Sequence, residues 1–124
     1  MAEYAKMVCD ARHGHVEDNC RLVFYDSGQW EYRSADNSTT GKTPERTVEV
    51  LLARLARLTE ISDERPAPLY SAAGMWTVTV FVHNIPIRSC IGPLLPASLS
   101  DFGEADALLE KALGLHRPIF TLRS

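Results

Sequence analysis

The segment that most constrains the fold is the apolar run from Met75 to His83. β-Branched and aromatic residues dominate the run, and the absence of glycine and proline within it is typical of a β-strand. Side chains along a strand alternate between its two sides, and an apolar side needs a second layer to cover it. The run therefore predicts a sheet with helices against one face. The apolar side consists of Trp76, Val78, Val80 and Val82, and the mixed side of Thr77, Thr79 and Phe81.

Residues 21–25 and 29–33 flank a short polar turn and predict a β-hairpin. A two-residue turn would pair Tyr25 with Trp30, whereas a three-residue turn pairs Phe24 with Trp30. Only the longer turn gathers the apolar side chains on one side, and it also places a glycine where the backbone needs a positive φ. We therefore predict the three-residue turn. The side chains that it gathers are Leu22, Phe24, Trp30 and Tyr32.

A second hairpin is predicted from the central run, a tight turn near Asn84 and a strand over residues 85–91. Pro86 has no N–H to donate to a ladder, so we expect this strand either to lie at an edge of the sheet or to begin beyond Pro86. Residues 34–42 are polar and predict a loop, and the prolines in 63–74 predict a long connection. The residues expected on one side of the last strand are Ile85, Ile87 and Ile91.

Two amphipathic helices follow the hairpins. The first is predicted over residues 43–61, which begin with a capping threonine and a proline. The second is predicted over residues 101–113, with Asp101 and Glu104 resembling a capping box and Gly114 ending the helix. The two apolar stripes consist of Val48, Leu51, Leu52, Leu55 and Leu58, and of Phe102, Ala105, Leu108, Leu109 and Ala112.

The order of these elements predicts an α+β fold, a two-layer sandwich whose antiparallel sheet of two hairpins carries two helices on one face. Residues 3–9 are ambiguous between strand and helix, and we favour an additional N-terminal strand. A length of 124 residues predicts a single domain over residues 1–124. Apolar residues within 116–124 predict a C-terminal tail that docks onto the rest of the chain.

Composition restricts the classes of function. The net charge is −3 and the pI is near 5.8, which argues against general nucleic-acid binding. The sequence contains no apolar run with the length of a membrane span and no apolar core of a secretory signal. Three cysteines, an odd number, indicate reduced thiols rather than a disulfide framework. We expect a cytoplasmic protein that binds neither nucleic acid nor a membrane.

The constellation most suggestive of chemistry is Cys9-x3-His13-x-His15-x4-Cys20. Two thiols and two imidazoles are the ligand types that Zn²⁺ prefers. The spacing, however, matches none of the usual paired cysteine and histidine knuckles. It favours the alternative, in which the two cysteines are buried apolar side chains and the histidines lie in solvent. A zinc-like site at Cys9, His13, His15 and Cys20 is therefore our second hypothesis.

Groups that could act in catalysis give weaker signals. His83, Cys90 and His116 supply a thiol and imidazoles, but no pattern brings them together, and a nucleophilic pair also needs an orienting group. The sequence has no phosphate-binding, dinucleotide-binding or serine-nucleophile motif. We therefore predict no catalytic residues. The carboxylates that we interpret as a solvated side of the second helix are Asp101, Glu104, Asp106 and Glu110.

The last signal is a surface. If the apolar side of the central strand faces the helices, then Thr79 and Phe81 face the other way, together with Val23 and Tyr25 of the first hairpin. A two-layer sandwich leaves this face open, and an exposed apolar patch is typical of an interaction site. The alternative is that the N-terminal segment or the C-terminal tail covers the face.

These observations predict a small, non-catalytic binding protein that acts through an open sheet face or a small pocket. Its expected partner is a protein, including a second copy of itself in a homodimer, or a small ligand. The metal-binding protein is the second hypothesis. The third is an enzyme with a pocket beneath residues 63–74.

Overall fold

The computed structural model describes residues 4–13, 19–35, 37–63, 74–96, 102–115 and 118–122. Within these ranges the chain forms strands and two helices in the order β1 (Ala5–His13), β2 (Cys20–Tyr25), β3 (Gln29–Ser34), β4 (Ser38–Lys42), α1 (Glu45–Asp63), β5 (Gly74–Val82), β6 (Ile85–Pro93), β7 (Leu95–Pro96), α2 (Gly103–Leu113) and β8 (Thr121–Leu122).

The main sheet contains 6 strands in the order β4-β3-β2-β1-β5-β6, and every neighbouring pair is antiparallel. Strands β7 and β8 form a separate short parallel pair. The antiparallel sheet and the two helices confirm the mixed α+β class. None of the helices within the described ranges is long and apolar enough to cross a membrane.

The N-terminal segment is a strand, as favoured, and it lies in the middle of the sheet between β2 and β5. The prediction of a loop over residues 34–42 was wrong, because residues 38–42 form β4 at the edge beside β3. Nearly every side chain of β4 is exposed and none is apolar. A strand with no buried side leaves no alternating apolar pattern in the sequence, which explains the error.

The first hairpin has the predicted register. Phe24 lies opposite Trp30, Leu22 opposite Tyr32, and Gly28 has a φ of 91°. All four apolar side chains named for this hairpin are buried. The turn chemistry and the apolar pattern therefore agree on one register.

The second hairpin turns through His83 and Asn84, whose φ values of 50° and 64° are those of a two-residue turn with both central residues in the left-handed region. Strand β6 lies at the sheet edge, as the proline predicted. A register shift between Val80 and Phe81 interrupts the ladder. Val82, predicted to face the helices, lies beyond this shift and is exposed.

One hydrophobic core joins the buried side of the sheet to both helices. On α1, Leu51 and Leu55 are buried, and on α2, Ala105 and Leu109 are buried. The side chains of Val48 and Leu58 lie outside the described set. The strand residues that build the core in opposite pairs are Met7 with Phe24 and Val80, Cys9 with Leu22 and Val78, and Ala11 with Cys20 and Trp76.

The ends of the helices differ from the predicted caps at one point. Helix α2 begins at Gly103 with Phe102 as its N-cap residue, which makes no side-chain capping bond. Asp101 lies outside the described residues, and the carboxylate of Glu104 instead bonds Arg54 of α1 at 2.5 Å. Gly114 ends the helix as predicted, with a φ of 72° and its N–H donating to the Glu110 carbonyl at 2.8 Å.

The described part of the C-terminal tail is docked, as predicted. Ile119, Phe120 and Thr121 are buried. The ring of Phe120 lies 5.6 Å from that of Trp76 and 4.9 Å from that of Phe102, measured between centroids. The tail therefore packs on the side of the sheet to which Trp76 points, together with α2.

Candidate interaction surface

The side of the sheet opposite the core carries half-buried apolar and threonine side chains from three neighbouring strands. Val8 of the central strand β1 lies directly opposite Val23 on β2 and opposite Thr79 on β5. These three residues form a continuous row, because directly opposite side chains in antiparallel strands are in reach of each other. We name the open sheet face the set Val8, Val23, Tyr25, Thr77, Thr79 and Phe81.

The four residues predicted from the sequence, Val23, Tyr25, Thr79 and Phe81, all lie on the open sheet face and are all half-buried. The prediction did not include Val8, although it is the residue that connects the two hairpins. Its strand was read from a short apolar run, and such a run does not reveal which side a residue occupies.

The sequence left open that the N-terminal segment or the C-terminal tail covers the open sheet face. The described residues of these two segments do not cover it. The N-terminal segment is strand β1, which lies within the sheet rather than over it. The described tail residues pack on the side of Trp76, which is the core side.

A charged rim on β1, β2 and β3 borders the open sheet face, and its Asp10 on β1 lies directly opposite Thr77. Arg21 lies directly opposite Arg33, and like charges in that position destabilise a sheet. Each arginine is balanced by an acid, because Asp10 accepts from Arg21 Nε at 2.6 Å and Glu31 pairs with Arg33. A shallow groove of about 250 Å³ lies between the arginines, with Val23, Tyr25 and Glu31 as the rest of its lining. Charged groups beside an apolar patch are common in protein interfaces.

The edge strand β6 extends the apolar surface, because Ile91 lies directly opposite Thr77 of the open sheet face. Ile85, Ile87 and Ile91 are 65%, 60% and 56% exposed. Pro86 predicted the edge position of the strand, but the alternation of the isoleucines did not indicate that they are exposed.

The residues of the metal hypothesis are only partly close together. Cys9 and Cys20 are buried on neighbouring strands, with Cys20 opposite Ala11. His13 ends β1 and its N–H donates to Asn19 Oδ1 at 2.7 Å, whereas His15 lies outside the described residues. Across the part of the chain that is described, no three His, Cys, Asp or Glu side chains are placed to hold one metal ion. Burial raises the pKa of the Cys9 thiol, which keeps it in the neutral form that binds metals weakly.

The groups considered for catalysis do not converge. His83 is in the exposed turn, with its ring 5.5 Å from that of Tyr4, whereas Cys90 is buried opposite Val78. His116 lies outside the described residues. The interpretation of Asp106 as a solvated carboxylate was wrong. It is partly buried and accepts bonds from the N–H of Ile119 at 2.8 Å and the hydroxyl of Thr121 at 2.7 Å.

The role of Asp106 is structural. Burial raises the pKa of its carboxyl group, and the hydrogen bonds from Ile119, Thr121 and Phe120 oppose that shift. A perturbed carboxyl group can mark a catalytic site. The hydrogen bonds of the Asp106 carboxylate come from residues of the C-terminal tail, so this carboxylate holds the tail on α2. The sequence could not identify this contact because helix periodicity places Asp106 only beside the buried stripe.

No protein-family model matches the chain, and a search of curated proteins finds no similar sequence.

Proposed function

We propose that this chain is a non-catalytic interaction protein that binds another polypeptide through the open sheet face. In this proposal the sheet and the helices form two layers, with α1, α2 and the tail on one side only. The observation that carries the proposal is the row of Val8, Val23 and Thr79, which crosses three strands without interruption.

The energetics favour a partner that covers this row. Fully burying a valine or phenylalanine side chain contributes roughly 1.5–3 kcal/mol. The open sheet face holds two valines and a phenylalanine that the fold leaves half-buried, so part of this free energy is still available for binding. The arginines at the rim supply orientation and selectivity rather than most of the affinity.

Site-specific photocrosslinking tests the proposal. The photoreactive residue p-benzoylphenylalanine replaces Val23 on the open sheet face or, as a matched control, the exposed Ala107 on α2. We expect an adduct of defined mass from position 23 and none from position 107 in cells that produce the protein.

A second substitution establishes that the adduct depends on the surface. Thr79→Lys places a charge in the same row, two strands away from Val23, and we expect it to abolish the adduct while the folded state is retained. Equal adducts at positions 23 and 107, or an adduct that persists in the Thr79→Lys variant, would contradict the proposal.

A further inference from the structure

The two edges of the main sheet are built differently. Strand β4 presents Ser-Thr-Thr-Gly-Lys, which is polar and ends in a lysine, and this is how natural proteins protect an edge from pairing. On strand β6 the prolines and the register shift lie towards the ends; between Pro86 and Pro93 the only charge is Arg88, and Ile87 and Ile91 are more than half exposed. An exposed apolar edge of this kind is a template for a further strand.

Prolines bracket the part of β6 that can pair. Pro86 and Pro93 lack an N–H, so outward backbone donation is confined to the stretch 87–92, in which every second residue points away from β5. The register shift of the β5–β6 ladder also lies at the Pro86 end. The available stretch is therefore short and has defined ends, and its composition is apolar and nearly uncharged. A highly charged peptide finds a single charge here, that of Arg88.

A second copy of β6 does find a complement. When a two-fold axis perpendicular to the sheet relates two antiparallel strands, one residue faces itself and its neighbours face each other in reversed order. With the axis at Ser89, Ile87 of each copy faces Ile91 of the other. Arg88 then faces the neutral Cys90 rather than a second arginine.

The neighbouring registers are worse. An axis at Arg88 places two arginines directly opposite each other, which is destabilising. An axis at Cys90 places Ile87 opposite Pro93 and Ile91 opposite Ser89, so no isoleucine faces another. Of these three registers, the one centred on Ser89 matches isoleucine with isoleucine at two positions and avoids opposed arginines.

We propose that β6 pairs with β6 of a second copy about a two-fold axis at Ser89, which makes the protein a homodimer with one continuous sheet. This inference concerns the strand edge and does not depend on what binds the open sheet face. The same axis keeps both open sheet faces on one side of the dimer, so a partner would meet a surface twice as long.

Cysteine crosslinking tests the register. A Ser89→Cys thiol would face its own copy across the axis, within the Cα separation of about 4.4–6.8 Å that a disulfide needs. The natural cysteines described here are all buried, so they do not compete. We expect mild oxidation to give a covalent dimer of the Ser89→Cys chain and no more than background for Thr40→Cys on β4. A mixture of Ile87→Cys and Ile91→Cys chains should crosslink, and neither chain alone should.

Native mass spectrometry over a micromolar concentration series gives an independent result. We expect twice the chain mass for the natural sequence and for Thr40→Lys, and a single chain mass for Ile91→Lys. A natural chain that stays monomeric throughout, or Ser89→Cys that crosslinks no more than Thr40→Cys, would overturn the inference. The crosslinking result decides the matter if Ile91→Lys does not fold.

Discussion

The indole ring of Trp76 on β5 lies directly against Gly92 on β6, in the space that a side chain at position 92 would occupy. The two residues are opposite each other in the ladder, and an added Cβ would lie 2.9 Å from Nε1 and closer still to two ring carbons. The same arrangement occurs at the other edge, where Trp30 lies against Gly41 of β4. Each edge strand therefore accommodates a tryptophan of its neighbour by means of a glycine.

Gly92→Ala is expected to destabilise the fold by about 1–3 kcal/mol, because the methyl group forces a buried ring to move. Trp76 is 2% exposed and packs on Phe102 and Phe120, so it has little room. The measurement is the free energy of unfolding in urea, followed by tryptophan fluorescence. Thr40→Ala on an exposed strand position is the control, and equal unfolding midpoints for the two variants would refute the explanation.

Gly41→Ala should cost less than Gly92→Ala, although the contact is equally close. Strand β4 is exposed and pairs only with β3 among the described elements, so it can shift away from Trp30 at smaller cost. The same urea titration compares the two variants. A larger loss at position 41 than at position 92 would show that the edge beside β3 is the more rigid one.

Asp106→Asn should destabilise the protein by about 1–3 kcal/mol at neutral pH, since an amide NH₂ group would replace one of the two acceptor oxygens that bind the tail. Phe120 N–H bonds both carboxylate oxygens, at 3.1 and 3.2 Å, so either orientation of the amide loses a contact. Glu110→Gln, an exposed acid on the same helix, is the control and should change stability by less than about 0.5 kcal/mol.

The pH dependence of stability should change in the same variant. The pKa of Asp106 is raised in the folded chain, so the folded state holds this proton to higher pH than the unfolded state. Its contribution is fully present below the ordinary value of 3.8 and is lost as pH rises through the folded pKa. The stability difference between the natural chain and Asp106→Asn should therefore shrink as pH rises from acid. A difference that grows over that interval would contradict the sign of the shift.

The buried thiols should be unreactive in the folded protein. Cys9, Cys20 and Cys90 are at most 7% exposed, and the raised pKa of Cys9 lowers its thiolate fraction further. We expect a thiol reagent to modify them only as fast as the chain unfolds, and quickly in denaturant. Rapid modification under native conditions would show that the strand carrying the modified cysteine, β1, β2 or β6, opens locally. Protection by added zinc during unfolding would revive the metal hypothesis.

The features that the sequence predicted correctly are those in which two local signals agree. In the first hairpin, the turn with Gly28 and the apolar pairing of Phe24 with Trp30 require the same register. The α2 terminus at Gly114 likewise rests on a local rule. Local rules do not contain tertiary contacts, so the sequence missed β4, which has no apolar side, and the bonds of Asp106 to the tail.

The candidate surface likewise combines features that local signals predict with features that depend on tertiary contacts. Alternation within the hairpins was sufficient to place Val23 and Phe81 on one side of the sheet. The position of β1 between the hairpins, which makes Val8 the connecting residue, depends on strand pairing across the chain. Val82 lies in the last pair of the β5–β6 ladder, next to the turn, and no local signal indicated that it is exposed.

The most direct test of the central claim compares photocrosslinking from position 23, on the open sheet face, with photocrosslinking from position 107 on α2. An interaction protein that uses the open sheet face will give a discrete adduct from position 23 that Thr79→Lys removes, and none from position 107. Adducts that are absent from position 23, or that arise equally from both positions, would show that the open sheet face is not the binding surface.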